Sequence, residues 1–172
     1  MTGSTSGPRL VLVGPPGAGK TSVGEVLATR WGVELHDTDR AIEAERGKPV
    51  TDVFVEDGEE VFRDLERAEV AAALTERTGL VALGGGSVLA PQTRTLLLGH
   101  RVAFLDIGLA AAAARVGLGV TRPLLLGNVR GQLKTLLDAR RPLYTEVASV
   151  TVHTDDLTVE AVADEVERLL GR

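Results

Sequence analysis

Cysteine is absent from this chain of 172 residues, and aromatic residues make up only 3% of it. The lack of cysteine excludes disulfide scaffolds, iron–sulfur clusters, thiolate metal sites and cysteine nucleophiles. No uninterrupted apolar run approaches the roughly 18 to 20 residues that a membrane-spanning helix needs. Residues 1–8 are small and polar, without the basic and apolar regions of a signal peptide. These absences lead us to expect a cytoplasmic globular protein with no membrane partner.

Basic residues are also few, with 19 lysines and arginines against 24 aspartates and glutamates and a formal net charge of −5. This acidic balance disfavours nucleic acid as a partner. Only three of the basic residues are lysines, namely Lys20, Lys48 and Lys134. The position of each lysine is therefore informative, and Lys20 stands in a glycine-rich stretch.

The rest of the sequence alternates short apolar runs with segments of helical periodicity. Strands are predicted at Leu10–Val13, Val33–His36, Leu80–Leu83, Val102–Leu105 and Val150–His153. Helices are predicted directly after Lys20 and over 40–46, 59–77, 91–98, 110–115, 129–140 and 159–170, with Thr158 as the N-cap of the last. This alternation predicts an α/β fold, in which helices cover both faces of a parallel sheet. We expect a disordered N-terminal segment over residues 1–8 and a single domain over 9–172.

Residues 14–21 read GPPGAGKT and match the phosphate-loop pattern G-x-x-x-x-G-K-S/T. Its glycines let successive backbone N–H groups point at phosphate oxygens, and the following helix adds its free N–H groups. The lysine would bind the β- and γ-phosphates, and the threonine hydroxyl would bind Mg²⁺. A glycine-rich turn with an incidental lysine is the alternative, but the preceding strand and the following helix argue against it. The candidate nucleotide-binding residues are Gly17, Ala18, Gly19, Lys20, Thr21 and Ser22.

A triphosphate-binding loop leaves the reaction open, because GTPases, ATPases and small kinases share it. The small size disfavours the large ATPases, and the guanine-reading pattern Asn-Lys-x-Asp is absent. A kinase needs a second substrate, and the first candidate for binding it is the pair Asp37 and Asp39. If the strand persisted through them, both carboxylates would project to one side, one toward a metal and one toward an acceptor hydroxyl. The alternative is an ordinary helix N-cap formed by Asp39 or Thr38.

Four further patterns allow a functional and an ordinary interpretation. Arg63 and Glu66 lie one helical turn apart, so Glu66 could hold the arginine against a substrate carboxylate, or the pair could be a solvated salt bridge. The segment Gly84–Gly86 follows a strand directly and would let a ligand approach the backbone, unless it is a plain loop.

The other two patterns contain arginines further along the chain. Arg122 lies in a glycine-rich connection of the kind that closes over a reaction, where it could reach the transferring phosphate. Arg140 and Arg141 precede Pro142; their ordinary interpretation is a pair of cations at a helix C-terminus.

These motifs together resemble those of the shikimate kinases, small P-loop enzymes of the nucleoside monophosphate kinase-like group. The phosphate loop is followed in order by Asp-x-Asp, Phe-Arg-x-x-Glu, Gly-Gly-Gly, Arg-Pro-Leu and Arg-x-Pro-Leu-Tyr, and the resemblance covers about residues 9–170. It implies a three-layer sandwich with a five-stranded parallel sheet, a mobile lid at about 115–128 and a substrate-binding helical segment at about 37–66. It also implies ATP-dependent phosphorylation of the 3-hydroxyl of shikimate on the route to chorismate and the aromatic amino acids.

The resemblance implies a role for each matching residue. Asp39 would bind the ring hydroxyls and orient or deprotonate the 3-hydroxyl, while Thr21 would bind Mg²⁺ directly and Asp37 through water. The shikimate carboxylate would be held by Arg63 and Arg140, with Glu66 supporting Arg63 and with N–H groups from Gly85 and Gly86. Lys20 and the lid residue Arg122 would contact the phosphates, and Arg115 would lie against adenine. The partners implied are shikimate and ATP, with the enzyme a monomer.

One stretch departs from the family pattern. Residues 153–158 read HTDDLT, which is acidic and lacks proline, where the family often has a basic, proline-containing loop against adenine. Adenine contacts there would come from the backbone and Leu157, which puts tight discrimination of ATP in question. Two alternatives stay open at this point: another small P-loop kinase, such as a gluconate kinase, and a nucleotide-binding regulatory module without catalysis.

Overall fold

A five-stranded parallel sheet forms the centre of the molecule in the computed structural model, which describes residues 7–118 and 128–172. The strands lie in the order β2-β3-β1-β4-β5. Their bounds are β1 Leu10–Val13, β2 Leu35–Asp37, β3 Leu80–Ala82, β4 Val102–Asp106 and β5 Val150–His153. All neighbouring strands are parallel, with Leu12 of β1 opposite Ala82 of β3 and Ala103 of β4. The α/β class and the five-stranded parallel sheet are confirmed.

Helices separate the strands along the chain. They are α1 Lys20–Trp31, α2 Thr38–Arg46, α3 Val50–Asp52, α4 Glu59–Glu76, α5 Pro91–Leu97, α6 Leu109–Leu118, α7 Val129–Val147 and α8 Val159–Leu169. A π-helical turn covers Val53–Asp57 and a 3₁₀ turn covers Ser87–Leu89. The Thr158 hydroxyl accepts a hydrogen bond from the Ala161 N–H at 3.1 Å, so the predicted N-cap of α8 is confirmed. Within the described ranges, no helix has both the length and the apolar composition required to cross a membrane.

Two apolar clusters lie on opposite faces of the sheet. One contains Leu10 and Leu12 of β1 with Leu27 of α1 and Val162 and Val166 of α8. The other contains Val11 and Val13 of the same strand with Val70 of α4, Leu97 of α5 and Tyr144 of α7. Because successive strand residues point to opposite faces, one apolar run serves both clusters. The result is the three-layer arrangement expected from the sequence.

A third, smaller cluster lies apart from the sheet and consists of Ile42, Val53 and Phe62. It joins α2, the π-helical turn and the first turns of α4, with Val50, Phe54 and Leu65 packed around it. The segment between β2 and the middle of α4 therefore has an apolar core of its own.

The predicted strand Val33–His36 is Leu35–Asp37 in the structure, and it does not persist through both aspartates. β2 ends at Asp37 and α2 begins at Thr38, so the two carboxylates do not share an extended strand. The N-cap is Asp37 itself, since its side chain accepts a hydrogen bond from the Arg40 N–H at 3.1 Å. Capping the free N–H groups of α2 outweighs extension of a short, half-buried strand.

Helix α7 is longer than predicted and continues through Pro142 to Val147. Proline removes one backbone donor from a helix interior and crowds the preceding turn. Tyr144 and Val147 are nonetheless buried in the second sheet cluster, and this packing favours continuation of the helix. Arg140 and Arg141 therefore lie inside α7, and their interpretation as cations at a helix end is wrong.

The end of α1 is fastened by a cluster around Trp31, the one tryptophan of the chain. The Trp31 ring lies beneath the guanidinium groups of Arg9 and Arg172, whose central carbons are 5.3 and 4.3 Å from the ring centroid. Its indole N–H donates to Glu167 of α8 at 2.8 Å.

Gly7 belongs to the segment 1–8 that was expected to be disordered. It is buried against His100 and Leu74, so the packed part of the chain includes this residue.

Candidate active site

The phosphate loop connects β1 to α1 at the carboxyl edge of the sheet. Gly19 is the N-cap of α1 in the left-handed conformation, with φ of 89°, and no side chain caps the helix. The first N–H groups of α1 are consequently available to a ligand at the positive end of the helix dipole. Ala18 is buried, whereas Ser22 is exposed in the first turn.

Lys20 lies within this loop rather than in solvent. Its ammonium donates hydrogen bonds to the carbonyl of Gly14 at 2.6 Å and to that of Pro15 at 3.0 Å. Removal from water lowers the pKa of Lys20 to about 8, against the opposing effect of the negative charges of Asp39 and Asp37. Lys20 is therefore a cation at neutral pH, close to the pH at which it loses its proton.

Thr21 and Asp37 bring the loop and the end of β2 together. The Thr21 hydroxyl donates to Asp37 Oδ2 at 2.7 Å, and the other carboxylate oxygen caps α2. Hydroxyl and carboxylate oxygens are the ligands that Mg²⁺ prefers, and this ion usually takes only one or two protein ligands besides water and phosphate. The chemistry of this donor pair fits Mg²⁺ beside bound phosphates.

Asp39 lies in the first turn of α2 and faces the glycine segment. Its Oδ1 is buried and has no hydrogen-bond partner among the residues that the structure describes. Burial is the main reason that the pKa of Asp39 rises to about 6, and the negative charges of Asp37 and Glu66 raise it further while Lys20 opposes them. A buried acceptor without a donor is well suited to a ligand hydroxyl, and a pKa near neutrality is what a general base needs.

Thr38, between the two aspartates, is a contributor that sequence reasoning treated only as an alternative N-cap. Its side chain is fully buried, donates to the Ala82 carbonyl at 3.4 Å and accepts from the Gly84 N–H at 3.2 Å. These two contacts hold the start of α2 against the end of β3. The position of Asp39 is thereby fixed, and no sequence pattern marks this role.

Arg63 and Glu66 form a salt bridge on α4, with 2.8 Å between Nη1 and Oε1. Glu66 is only 4% exposed, so the interpretation as a solvated surface pair is wrong. The Arg63 guanidinium also lies 5.3 Å from the centroid of Phe62 and 6.0 Å from that of Phe54. An arginine held by a buried carboxylate and two rings presents its remaining donors in a fixed direction.

The glycine segment after β3 is covered by side chains of the site. A Cβ on Gly84 would lie 2.5 Å from Asp39 Oδ1, and one on Gly85 would lie 2.8 Å from Pro16 Cδ. A Cβ on Gly86 would overlap the Arg63 guanidinium. The segment is thus a surface against which three different parts of the site pack, and not a plain loop.

Arg140 approaches the same region from α7. Its positive charge lowers the pKa of Lys20 and opposes the rise in that of Tyr144, so the guanidinium lies near both groups. Glu66, the partner of Arg63, also acts on Tyr144. The charge of Arg140 therefore acts on Lys20 of the phosphate loop and on Tyr144, whose hydroxyl meets the glycine segment.

The predicted nucleotide side is more open. Arg115 donates to the Gly17 carbonyl of the phosphate loop, and Leu157 is 40% exposed after β5. In the acidic stretch, Asp155 accepts from the Gly108 N–H at 2.8 Å, and Asp156 is left-handed with φ of 62°. Arg122 lies outside the described residues.

Comparison with known proteins agrees with this geometry. A family model described as shikimate kinase matches residues 16–170. The shikimate kinase of Salinispora arenicola is 56% identical, with 95% of this chain and 98% of the relative covered. That of Thermobifida fusca is 55% identical, with 96% of each covered. A solved structure of shikimate kinase from Acinetobacter baumannii in complex with shikimate is 33% identical and superimposes with a TM-score of 0.88, covering 96% of this chain and 93% of the other. Motifs, fold and likeness over nearly the full length agree, and the chain belongs to the shikimate kinase family.

Proposed function

We propose that this protein transfers the γ-phosphoryl group of ATP to the 3-hydroxyl of shikimate, giving shikimate 3-phosphate and ADP. The observation that carries the proposal is the position of Asp39, whose unpartnered, buried Oδ1 lies among Lys20 and the Arg63–Glu66 pair. An acceptor hydroxyl on Asp39 would stand between a phosphate-binding cation and a carboxylate-binding one. The relative that was solved with shikimate supports the same substrate.

The acceptor is held through its carboxylate and its ring hydroxyls. Arg63 and Arg140 bind the carboxylate, and the backbone N–H groups of Gly85 and Gly86 bind the remaining oxygens. Glu66 keeps Arg63 in place through the 2.8 Å salt bridge. Binding by two guanidinium groups fixes the ring so that one hydroxyl reaches Asp39.

The transfer step is an in-line displacement at the γ-phosphorus. The bond from the 3-oxygen to phosphorus forms, the bond from phosphorus to the bridging oxygen of ADP breaks, and the hydroxyl proton passes to Asp39. Lys20 stabilises the charge on the phosphate oxygens, and Arg122 adds a second cation from the lid. Thr21 would hold Mg²⁺ directly and Asp37 would hold it through water, and the ion would supply positive charge to the phosphates.

The proposal includes the organisation of the chain. Residues 37–66 form the substrate-binding segment, for which the separate cluster of Ile42, Val53 and Phe62 gives support. Residues 115–128 form the lid, which carries Arg122. Arg115 and Leu157 contact the adenine. The enzyme acts as a monomer in the cytoplasm.

The substrate is tested with purified protein, Mg-ATP and a panel of shikimate, gluconate and nucleoside monophosphates in a coupled assay of ADP release. We expect turnover with shikimate only, and a phosphate ester on its 3-oxygen by nuclear magnetic resonance. Turnover of gluconate or of a nucleoside monophosphate without turnover of shikimate contradicts the proposal.

The role of Asp39 is tested with Asp39→Asn, which keeps the shape of the side chain but cannot take up the proton. We expect turnover to fall by about 10² to 10⁴-fold, the usual contribution of a general base, with ATP binding near that of the wild type. Asp164→Asn, on an exposed aspartate of α8, is the matched control and should retain activity. Survival of turnover in Asp39→Asn shows that Asp39 has another role.

A further inference from the structure

Tyr144 is a residue to which the proposed chemistry gives no task, although it is 1% exposed and borders the site. We infer that Tyr144 is a positioning residue: its hydroxyl holds the glycine segment Gly84–Gly86 in register with α7, so that the two arginines converge on one acceptor carboxylate. The inference rests on the proposed function, because it names how the acceptor site is kept in shape.

The central contact is a short hydrogen bond. The Tyr144 hydroxyl donates to the Gly85 carbonyl at 2.6 Å. Gly85 is the middle residue of a segment whose first glycine contacts Asp39 and whose third contacts Arg63. A displacement of this carbonyl would therefore move the surface on which both substrate-facing side chains rest.

The other end of the contact lies on the helix that carries the second arginine. Arg140 and Tyr144 are four residues apart in α7, and residues at this spacing lie on one face of a helix, one turn apart. The single hydrogen bond thus connects the α7 element, with Arg140, to the glycine segment, against which Arg63 and Asp39 pack.

The tyrosine ring is held independently of its hydroxyl. It stacks on Phe104 of β4 with 4.9 Å between centroids and 29° between planes. Arg141 ties α7 to β4 a second time, with 3.3 Å between Nε and Asp106 Oδ1. Loss of the hydroxyl alone should consequently leave ring and helix in place and release only the glycine segment.

The Tyr144 hydroxyl stays protonated and can therefore always donate this hydrogen bond. Burial raises the pKa of Tyr144 to about 12, against the opposing charge of Arg140. The hydroxyl therefore keeps its proton throughout the range in which the enzyme is assayed.

The experiment compares Tyr144→Phe with the wild type by separate measurement of the affinities for shikimate and ATP. Removal of one hydrogen bond to a buried carbonyl should raise KM and Kd for shikimate about three- to tenfold, with the values for ATP unchanged. The matched control is Thr145→Val, which removes an exposed hydroxyl from the neighbouring position, bonded only within the helix to the Arg141 carbonyl at 2.9 Å. We expect wild-type constants for this control.

A second measurement needs no substitution, because Tyr144 is the one tyrosine of the chain. Growth with 3-fluorotyrosine labels this position alone, and its ¹⁹F resonance should shift when shikimate saturates the protein and much less with ADP. Three outcomes overturn the inference if the wild type still turns over shikimate. They are an unaltered shikimate affinity in Tyr144→Phe, an equal loss of affinity for shikimate and ATP, and a ¹⁹F resonance that does not shift with shikimate. A wild type that does not bind shikimate at all overturns the proposed function, and this inference with it.

Discussion

The rate of phosphoryl transfer should follow a bell-shaped pH profile whose acid limb belongs to Asp39 and whose basic limb belongs to Lys20. Asp39 accepts the hydroxyl proton only when ionised, and its pKa is raised to about 6. Lys20 stabilises the phosphates only when protonated, and its pKa is lowered to about 8. Activity should therefore be lost as the pH falls through about 6 and as it rises through about 8.

The size of the effect follows from the ionised fractions. One unit below the pKa of Asp39 about one tenth of the carboxylate remains, and one unit above that of Lys20 about one tenth of the ammonium remains. Rates at subsaturating ATP and shikimate report the free enzyme, so they should fall to about one tenth of the value at pH 7 at both pH 5 and pH 9.

Two charge-removing variants separate the limbs. The negative charge of Glu66 raises the pKa of Asp39 and does not contribute to that of Lys20, so Glu66→Gln should move only the acid limb, toward lower pH. Asp37 raises both pKa values, so Asp37→Asn should move both limbs toward lower pH.

Initial rates across the pH range, in buffers of constant ionic strength, give these limbs for each protein. Phosphates lose their last proton near pH 6, so the comparison of variants with the wild type, and not the profile alone, isolates the protein groups. Movement of both limbs in Glu66→Gln, or of neither limb in either variant, refutes the assignment.

Two further substitutions test the packing and the metal site. Gly86→Ala would drive a methyl group into the Arg63 guanidinium and should raise KM for shikimate at least about tenfold. The control Gly99→Ala, whose added carbon would lie 3.8 Å from its nearest neighbour, should have no effect. Equal KM values for the two variants contradict the packing argument. Thr21→Val removes the hydroxyl that meets Asp37 and should raise the Mg²⁺ concentration for half-maximal rate about 10- to 100-fold. Thr21→Ser should restore the wild-type Mg²⁺ dependence, and a failure to do so assigns the loss to shape.

The sheet could be predicted from the sequence because its strands are brief apolar runs bounded by strong interruptions. Leu10–Val13 and Val150–His153 were predicted with the bounds that the structure has. The cap of α2 was missed because Asp37, Thr38 and Asp39 are all good capping residues, and the alternation of apolar residues does not reveal that Asp37 takes this role. The end of α7 was missed because Pro142 normally stops a helix, whereas burial of Tyr144 beyond it depends on tertiary packing.

The site was predictable where function requires a fixed spacing. The phosphate loop must place its lysine after its glycines, and Arg63 must lie one turn from Glu66, so both are visible along the chain. Thr38 and Tyr144 act through contacts with Gly84 and Gly85, which are 46 and 59 residues away in sequence. Contacts of this kind arise only when the strands are assembled, and a single sequence does not contain them.

The fastening of Trp31 has a practical consequence for anyone who follows this enzyme by fluorescence. Trp31 ends a helix of 12 residues whose other end carries Lys20, so it stands about 16 Å along the axis from the phosphate loop. Its fluorescence should report whether α1 and α8 stay together on denaturation. We expect it to change little when ligands bind at the reacting atoms. A fluorinated tyrosine reports on the contact with Gly85 and the native indole reports on the contact between α1 and α8, so binding and unfolding can be followed by two separate probes.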